Sequence, residues 1–181
     1  THLVDLLHKD GAEILVTDID KKRVDFIVQK YGCQYIEPDQ IINQEVDIYA
    51  PCALGATINK DSIPNLKCKI VAGGANNVLQ ETTRDSNLLT KKDILYAPDY
   101  VINAGGLINV ANELEGYDKD KAFNQAEKIY DTLMSVFKRA KKESISTTEA
   151  AALQAEDRIK KIATLKSFYL PYKKTFKIRN D

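Results

Sequence analysis

Short apolar segments that alternate with helix-forming stretches restrict the fold of this chain more than any other feature of its sequence. The predicted strands are 13–18, 34–36, 46–50, 68–72 and 94–97. Apolar runs of this length with β-branched residues are typical of strands that are buried on both faces. Strands that alternate with helical crossovers predict a parallel sheet with helices on both of its faces.

The pattern changes to helices alone after residue 105. Apolar residues recur at intervals of three and four between residues 121 and 143, which predicts one long helix with Asp118 as its N-cap. The sequence Ser-Thr-Thr-Glu at 146–149 is typical of a capping box and predicts the start of another helix. The residues expected to line the apolar side of this last helix are Ala152, Ala155, Ile159 and Ile162.

Composition excludes several classes of protein. The 26 basic residues equal the 26 acidic ones, which argues against nucleic acid as a partner. No apolar run approaches the roughly 18 residues that a transmembrane helix needs, so we expect no membrane partner. Cys33, Cys52 and Cys68 are widely spaced, as expected for free thiols in a cytoplasmic protein. His2 and His8 lie far from these cysteines, so no metal site is predicted.

Asp18 ends the first predicted strand, after a helix and a glycine turn. In dinucleotide-binding folds an acidic residue at this place accepts hydrogen bonds from the ribose hydroxyls, about 20 residues after a glycine-rich phosphate loop. Counting back from Asp18 places that loop, and the central first strand before it, upstream of residue 1. The alternative interpretation is that Asp18 only caps the following helix, and the pattern alone does not decide between the two.

The ends of the predicted strands are rich in small residues and asparagine. Open parallel sheets bind ligands at the carboxyl ends of their strands. Glycine lets the backbone approach a ligand closely, and asparagine offers both donors and acceptors. Turn formation alone would explain one such strand end, but several at one edge indicate a binding site. The strand ends in question are 17–19, 50–55, 72–77 and 97–106.

These segments carry a resemblance to a known family. The matching motifs are VTDID (16–20), APCALGATIN (50–59), KIVAGGANN (69–77), APDYVINAGGLINVANE (97–113) and AEDRI (155–159). With them the chain resembles the nucleotide-binding domain of the glutamate/leucine/phenylalanine/valine dehydrogenase family, and most closely its leucine dehydrogenase members.

The resemblance implies an α/β fold, a Rossmann-like doubly wound parallel sheet that lacks its first strand and glycine-rich loop and is followed by a C-terminal helical extension. Residues 1–110 would form a partial NAD-binding domain, and residues 111–181 a helical segment that packs on it. The implied activity is NAD-dependent, reversible oxidative deamination of a branched-chain, leucine-like L-amino acid to its 2-oxo acid and ammonia.

The resemblance also implies roles for individual residues. Asp18 would hold the adenosine ribose, Cys52 and Ala53 would contact the cofactor through their backbone, and Asn103 would bind the nicotinamide carboxamide. The cofactor-binding residues implied are Asp18, Ile19, Cys52, Ala53, Asn76 and Asn103. The substrate-binding residues implied are Asn77, Leu107 and Val110, of which Asn77 would touch the substrate near its carboxylate or the nicotinamide.

The role of Leu107 and Val110 and the choice of cofactor both have alternatives in the sequence. Leu107 and Val110 lie one helical turn apart and would shape the substrate side-chain pocket, although such residues also serve in core packing. Leucine stands at 107 where valine is frequent in the family, which would narrow the pocket toward smaller substrates. The basic residues 21–23 would tolerate a 2′-phosphate, but Asp18 would repel one, so NAD is favoured over NADP.

No segment of the chain matches the family's catalytic lysine and aspartate, which belong to a separate N-terminal substrate domain. We therefore expect no catalytic residue here, an inactive chain when it is alone, and a homo-oligomer when the missing domain is present. The neighbours of Cys52 are apolar, so an inert buried thiol is predicted there. A non-catalytic remnant or an oligomerisation domain is the alternative function. Phenylalanine, valine or glutamate is the alternative substrate, and the absence of a basic residue at 107 and 110 disfavours glutamate.

Overall fold

The computed structural model describes residues 1–114 and 116–166. Its five strands are all parallel, as predicted, and each lies inside or at the centre of a predicted run. The strands are β1 (Leu15–Val16), β2 (Gln34–Tyr35), β3 (Ile48–Tyr49), β4 (Ile70–Val71) and β5 (Leu95–Tyr96).

The strands form two sheets rather than one continuous sheet. β1 pairs with β2, and β3, β4 and β5 pair in that order. Among the described residues β1 and β3 do not pair with each other. A first strand upstream of residue 1 stays a prediction.

Helices connect the strands and make up the C-terminal part of the chain. Two 3-10 helices, at Ile41–Asn43 and Ile63–Asn65, lie in the connections before β3 and β4. The α-helices are α1 (His2–Lys9), α2 (Lys21–Tyr31), α3 (Thr82–Lys91), α4 (Asp99–Ile102), α5 (Gly105–Leu114), α6 (Lys119–Glu143) and α7 (Thr147–Lys166). Of the described residues, no helix is both long and apolar enough to cross a membrane.

The helix ends follow the predicted capping chemistry. The Asp118 carboxylate accepts a hydrogen bond from the Lys121 N–H at 3.0 Å, so its role as the N-cap of α6 is confirmed. Ser146 Oγ accepts the Glu149 N–H at 3.3 Å, as the capping pattern at the start of α7 predicts. Both helices therefore start where the local sequence places them, within two residues.

The main hydrophobic core lies around the three-stranded sheet. Its most completely buried members are Ile58, Val71, Val78 and Leu89. They come from β4, α3 and the loops before and after β4, so these elements are fixed to one another. The loops that leave the carboxyl ends of β3 and β4 consequently start from a rigid base.

A second, smaller core joins α6 and α7. Val136 and Ala140 of α6 pack against Ala150 and Ala151 of α7, and Val101 of α4 packs against this cluster. The C-terminal helices thus pack on the same body as α3 and α4. The proposed boundary at residue 110 falls within α5, and the part of the segment 111–181 beyond residue 166 lies outside the described residues.

One prediction about α7 is wrong. Its expected apolar side, formed by Ala152, Ala155, Ile159 and Ile162, is exposed, and Ile159 retains 67% of its accessible surface. The buried face of α7 instead begins at Ala150 and Ala151, where the first turns meet α3 and α6. Which face of α7 is buried depends on where α3 and α6 lie, and the spacing of apolar residues within α7 does not show this.

Candidate functional site

The loops after β3 and β4 are packed backbone against backbone. A Cβ atom on Gly73 would lie 2.6 Å from the Pro51 backbone nitrogen and closer still to its carbonyl oxygen. A Cβ atom on Gly55 would lie 2.7 Å from the carbonyl oxygens of both Asn76 and Asn77. Only residues without a side chain fit at these two places. Gly55 and Gly73 are therefore required by loop packing.

Two asparagines join the ends of β4 and β5. The Asn103 amide nitrogen Nδ2 donates to Asn76 Oδ1 at 2.6 Å and to the Ala75 carbonyl oxygen at 3.2 Å. Asn77 lies beside them in the left-handed conformation, with φ of 52°. Asparagine tolerates that conformation better than most residues. Three carboxamide side chains are thus collected where two parallel strands end.

A buried carboxylate, that of Asp99, holds the loop after β4 against the start of α4. Asp99, only 9% exposed, accepts the Val78 N–H at 2.9 Å and the Tyr100 N–H at 2.8 Å. Its own N–H donates to the Tyr96 hydroxyl oxygen at 3.2 Å. Asp99 therefore connects the loop that carries Asn77 to the first turn of α4.

The two tyrosines beside Asp99 remain protonated at neutral pH. Burial and the neighbouring Asp99 charge raise the pKa of Tyr96 well above its usual range, and the same two causes raise the pKa of Tyr100. The Tyr100 hydroxyl can consequently act as a donor, and it donates to the Thr148 carbonyl oxygen at 3.2 Å. This bond ties α4 to the first turn of α7.

Buried hydroxyl groups continue the connection into α3. Thr148 Oγ1 donates to Ser86 Oγ at 2.8 Å and lies 3.1 Å from Ser146 Oγ. Asp85, next to Ser86, is fully buried and pairs with Arg84 at 2.7 Å. Burial raises the pKa of Asp85, but hydrogen bonds from Arg84 and from the Glu81 backbone outweigh it and leave the pKa below its usual value.

These elements enclose a cavity of about 710 Å³ at the carboxyl ends of β4 and β5. Its size falls within the range of small-molecule sites. Of the described residues that line it, none is basic. The polar residues of the lining include Asn76, Asn77, Thr82, Asp99, Tyr100, Asn103 and Thr148, and Leu107 and Leu79 add apolar surface.

Comparisons with known proteins identify the family. The family described as glutamate/leucine/phenylalanine/valine dehydrogenase matches residues 5–167. A leucine dehydrogenase of Thermoactinomyces intermedius is 50% identical over 164 residues, which are 91% of this chain and 44% of that protein. An L-tryptophan dehydrogenase of Nostoc punctiforme is 48% identical over 153 residues, 84% of this chain and 43% of that protein.

The crystal structure of L-tryptophan dehydrogenase from Nostoc punctiforme superimposes with a TM-score of 0.86 at 47% identity. The superposition covers 88% of this chain and 48% of the tryptophan dehydrogenase chain. The chain belongs to the glutamate/leucine/phenylalanine/valine dehydrogenase family. It spans fewer than half of the residues of the curated relatives described here.

The nine site residues that the sequence predicts in this chain fall into three groups in the structure. Asn76, Asn77, Asn103 and Leu107 line the cavity. Val110, one turn further along α5 and 54% exposed, does not line it. The remaining four expected residues lie outside the lining and belong to loops after other strands, namely Asp18 and Ile19 after β1, and Cys52 and Ala53 after β3.

The alternative interpretation of Asp18 as a helix cap is wrong. Asp20 caps α2, since its carboxylate accepts the N–H groups of Lys22 and Arg23. Asp18 is exposed at the end of β1, where one of its oxygens accepts the Asp20 N–H at 2.9 Å. Its other oxygen accepts no hydrogen bond from a described residue. The ribose-binding role of Asp18 and the contact assigned to Ile19, which is 92% exposed, stay predictions.

The prediction of a buried thiol at Cys52 is also wrong. Cys52 is exposed, whereas Cys33 and Cys68 are buried. The apolar neighbours Ala53 and Leu54 do not cover Cys52, because they are themselves exposed. The Gly74 N–H donates to Cys52 Sγ at 3.5 Å.

This difference in exposure predicts selective labelling. Cys52 is expected to react with iodoacetamide in the folded protein at least about tenfold faster than Cys33 or Cys68, because burial raises the pKa of both other thiols. Peptide mass mapping after timed alkylation measures the three rates. A Cys52→Ser variant is the control, and it should lose the fast phase alone. Equal rates at all three cysteines would contradict the prediction.

Sequence reasoning missed Asp99, Tyr100 and Thr148 as parts of the site. Asp99 follows Pro98 directly at the start of α4, a signal that indicates a helix start without showing which distant N–H groups the carboxylate accepts. Thr148 lies 48 residues from Tyr100 in sequence. Neither partner could be found without the tertiary structure.

Proposed function

We propose that this chain is the cofactor-binding part of an NAD-dependent L-amino-acid dehydrogenase that deaminates a branched-chain, leucine-like amino acid to its 2-oxo acid and ammonia. The observation that carries the proposal is the cavity at the ends of β4 and β5, which Asn76, Asn77, Asn103 and Leu107 line. Open parallel sheets bind their ligands at this edge.

The residues present suit a dinucleotide. Gly74 lines the cavity and its backbone, which has no side chain, allows a ligand to approach the sheet edge closely. One Asp18 carboxylate oxygen accepts no hydrogen bond from a described residue, and we propose that it accepts from the ribose hydroxyls. The Asn103 side-chain amide is proposed to hydrogen-bond the nicotinamide carboxamide of NAD. When bound, NAD would supply the acceptor for the hydride that leaves the amino acid.

The charges near Asp18 favour NAD over NADP. Arg23 pairs with Asp20 at 3.3 Å, which offsets the charge of the basic side chain most suited to hold a 2′-phosphate. The exposed Asp18 carboxylate would repel such a phosphate at short range. Lys21 and Lys22 are exposed on α2, and their ammonium groups lack the planar, two-pronged donor geometry of the Arg23 guanidinium.

The cavity supports an apolar substrate side chain. Leu107 contributes an apolar wall, and the absence of a basic residue among the described lining disfavours glutamate, whose second carboxylate would lack a partner. Asn77, which lines the same cavity, is proposed to contact the substrate near its carboxylate, or the nicotinamide. A second candidate substrate is a bulky aromatic amino acid, which the likeness to the tryptophan dehydrogenase favours.

The groups that would handle protons are proposed to come from a separate substrate domain. The described lining of the cavity contains no lysine, and its one carboxylate, Asp99, already accepts two backbone N–H groups. The chain alone is therefore proposed to be inactive, and the whole enzyme to work as a cytoplasmic homo-oligomer. A non-catalytic remnant is the alternative.

An activity panel on the whole protein tests this function. Turnover with NAD is expected for leucine and valine, with kcat/KM for glutamate lower by at least about a hundredfold, because its charge would be buried unpaired. The substrates compared are leucine, valine, phenylalanine, tryptophan and glutamate, each with NAD and with NADP. The isolated chain 1–181 is the control and should give no turnover.

The outcomes separate the alternatives. Turnover of glutamate alone would overturn the apolar substrate, and preference for tryptophan would favour the aromatic alternative. No turnover of any amino acid by the whole protein would favour a non-catalytic role.

A further inference from the structure

A backbone carbonyl group identifies which end of the Asn103 side-chain amide is the nitrogen. The nitrogen Nδ2 of Asn103 lies 3.2 Å from the Ala75 carbonyl oxygen. A backbone carbonyl oxygen only accepts hydrogen bonds, so the nitrogen of Asn103, and not its oxygen, must face it. The two ends of this amide are thereby distinguished, although they have nearly the same shape.

The orientation of Asn76 follows from that of Asn103. Since Asn103 Nδ2 is a donor, the atom of Asn76 that lies 2.6 Å away must be its oxygen. The two side chains are interlocked, with both hydrogens of Asn103 Nδ2 directed at acceptors. The shorter of these two bonds is the one to Asn76, so Asn76 contributes strongly to holding the Asn103 amide in place.

The interlock leaves one atom of each amide unused. Asn103 Oδ1 accepts no hydrogen bond from a described residue, and Asn76 Nδ2 donates none to one. Both residues line the cavity. A ligand in the cavity therefore meets an acceptor at Asn103, while the donor hydrogens of that side chain are already engaged.

We infer that Asn76 is a positioning residue that holds Asn103 with its carbonyl oxygen available to the ligand, so that the site selects a ligand group that carries an N–H donor. The inference rests on the proposed function, in which that group is the carboxamide of NAD. A methyl ketone at the same place could not donate to Asn103 Oδ1. A carboxylate would place its negative charge against that oxygen.

Asn76 is suited to a specific test because it is exposed and its side chain accepts its hydrogen bond from Asn103. Replacing it should leave the core around β4 intact. Asn76→Ala removes the acceptor at 2.6 Å and leaves the Asn103 amide held only by its longer bond, of 3.2 Å, to the Ala75 carbonyl oxygen, which weakens the preference for this orientation. Asn76→Asp keeps an oxygen at the same place and should hold the amide as asparagine does.

The experiment measures dissociation constants for the whole protein in the absence of amino acid. The probes are NAD and its 3-acetylpyridine analogue, in which a methyl group replaces the amide NH₂. Wild type is expected to bind NAD about tenfold more tightly than the analogue, the value of one hydrogen bond. Asn76→Ala should reduce this ratio to about threefold or less, and Asn76→Asp should restore it.

A matched control and thermal unfolding separate positioning from general damage. Asn87→Ala, on the exposed surface of α3, should retain the wild-type ratio. All variants should unfold within a few degrees of wild type. A loss of affinity for both probes by the same factor in Asn76→Ala would indicate structural damage and would overturn the positioning role.

The remaining outcomes distinguish this inference from the proposed function. If the whole protein binds NAD and the acetyl analogue equally well, the acceptor role of Asn103 is overturned while NAD binding stands. If Asn76→Ala keeps the tenfold ratio, positioning by Asn76 is overturned. If the whole protein binds no NAD, the proposed function itself fails, and this inference fails with it.

Discussion

Replacing Gly73 by alanine is expected to lower the free energy of unfolding of the whole protein by about 3 kcal/mol or more. The added Cβ atom would lie 2.6 Å from the Pro51 nitrogen and closer to its carbonyl oxygen. Both atoms belong to the backbone and cannot rotate away as a side chain would. The loops after β3 and β4 would have to separate, and the Ala75 N–H to Pro51 carbonyl bond of 3.0 Å would be lost with them.

Gly74 provides a matched control one residue away. A Cβ atom there would meet only Cys52 Sγ, at 3.9 Å, which is ordinary contact, and Gly74 has no positive φ. Gly74→Ala should therefore change stability by less than about 0.5 kcal/mol. Urea unfolding followed by circular dichroism compares the two variants. Equal midpoints would show that the loops are not packed as described.

The variant Asp99→Asn is expected to lower the free energy of unfolding by about 3 kcal/mol. The two Asp99 oxygens accept the Val78 and Tyr100 N–H groups at 2.9 and 2.8 Å. Asparagine has one acceptor oxygen, so its NH₂ group would face one of these buried donors. Losing a hydrogen bond to a charged group and leaving a donor unsatisfied costs about 2–4 kcal/mol in combination.

The same substitution should weaken the NAD binding that we propose, because Val78 follows the loop that carries Asn76 and Asn77. Isothermal titration on the whole protein measures this, at a temperature where the variant remains folded. Asp131→Asn, an exposed carboxylate on α6, is the matched control and should alter neither property. A variant at position 99 as stable as this control would contradict the anchoring role of Asp99.

The local elements of this fold were predictable from neighbouring residues. Periodicity predicted a helix over 121–143, and α6 runs from Lys119 to Glu143 with the predicted cap at Asp118. Such features depend on contacts between residues three or four apart. The choice between Asp18 and Asp20 as the cap of α2 was not predictable, because both lie within reach of the same helix start.

The candidate site was predictable as a set of strand ends but not as a set of contacts. The motif segments placed Asn76, Asn77, Asn103 and Leu107 at one edge, and these four line the cavity. Their partners are distant in sequence: the Asn103 side chain reaches back 27 residues to Asn76, and Asp99 reaches back 21 residues to Val78. Such pairs depend on how the strands are ordered in the sheet.

By itself the sequence determined the kind of element at each position, the parallel α/β class and, through its motifs, the family. Those properties depend on side-chain periodicity, capping and turn chemistry, which act over a few residues. The tertiary structure alone decided that Cys52 is exposed, that α7 is buried at Ala150 and Ala151, and that Asn103 directs its amide nitrogen at Asn76. The physical reason is that exposure and hydrogen-bond direction are set by atoms brought together from distant parts of the chain.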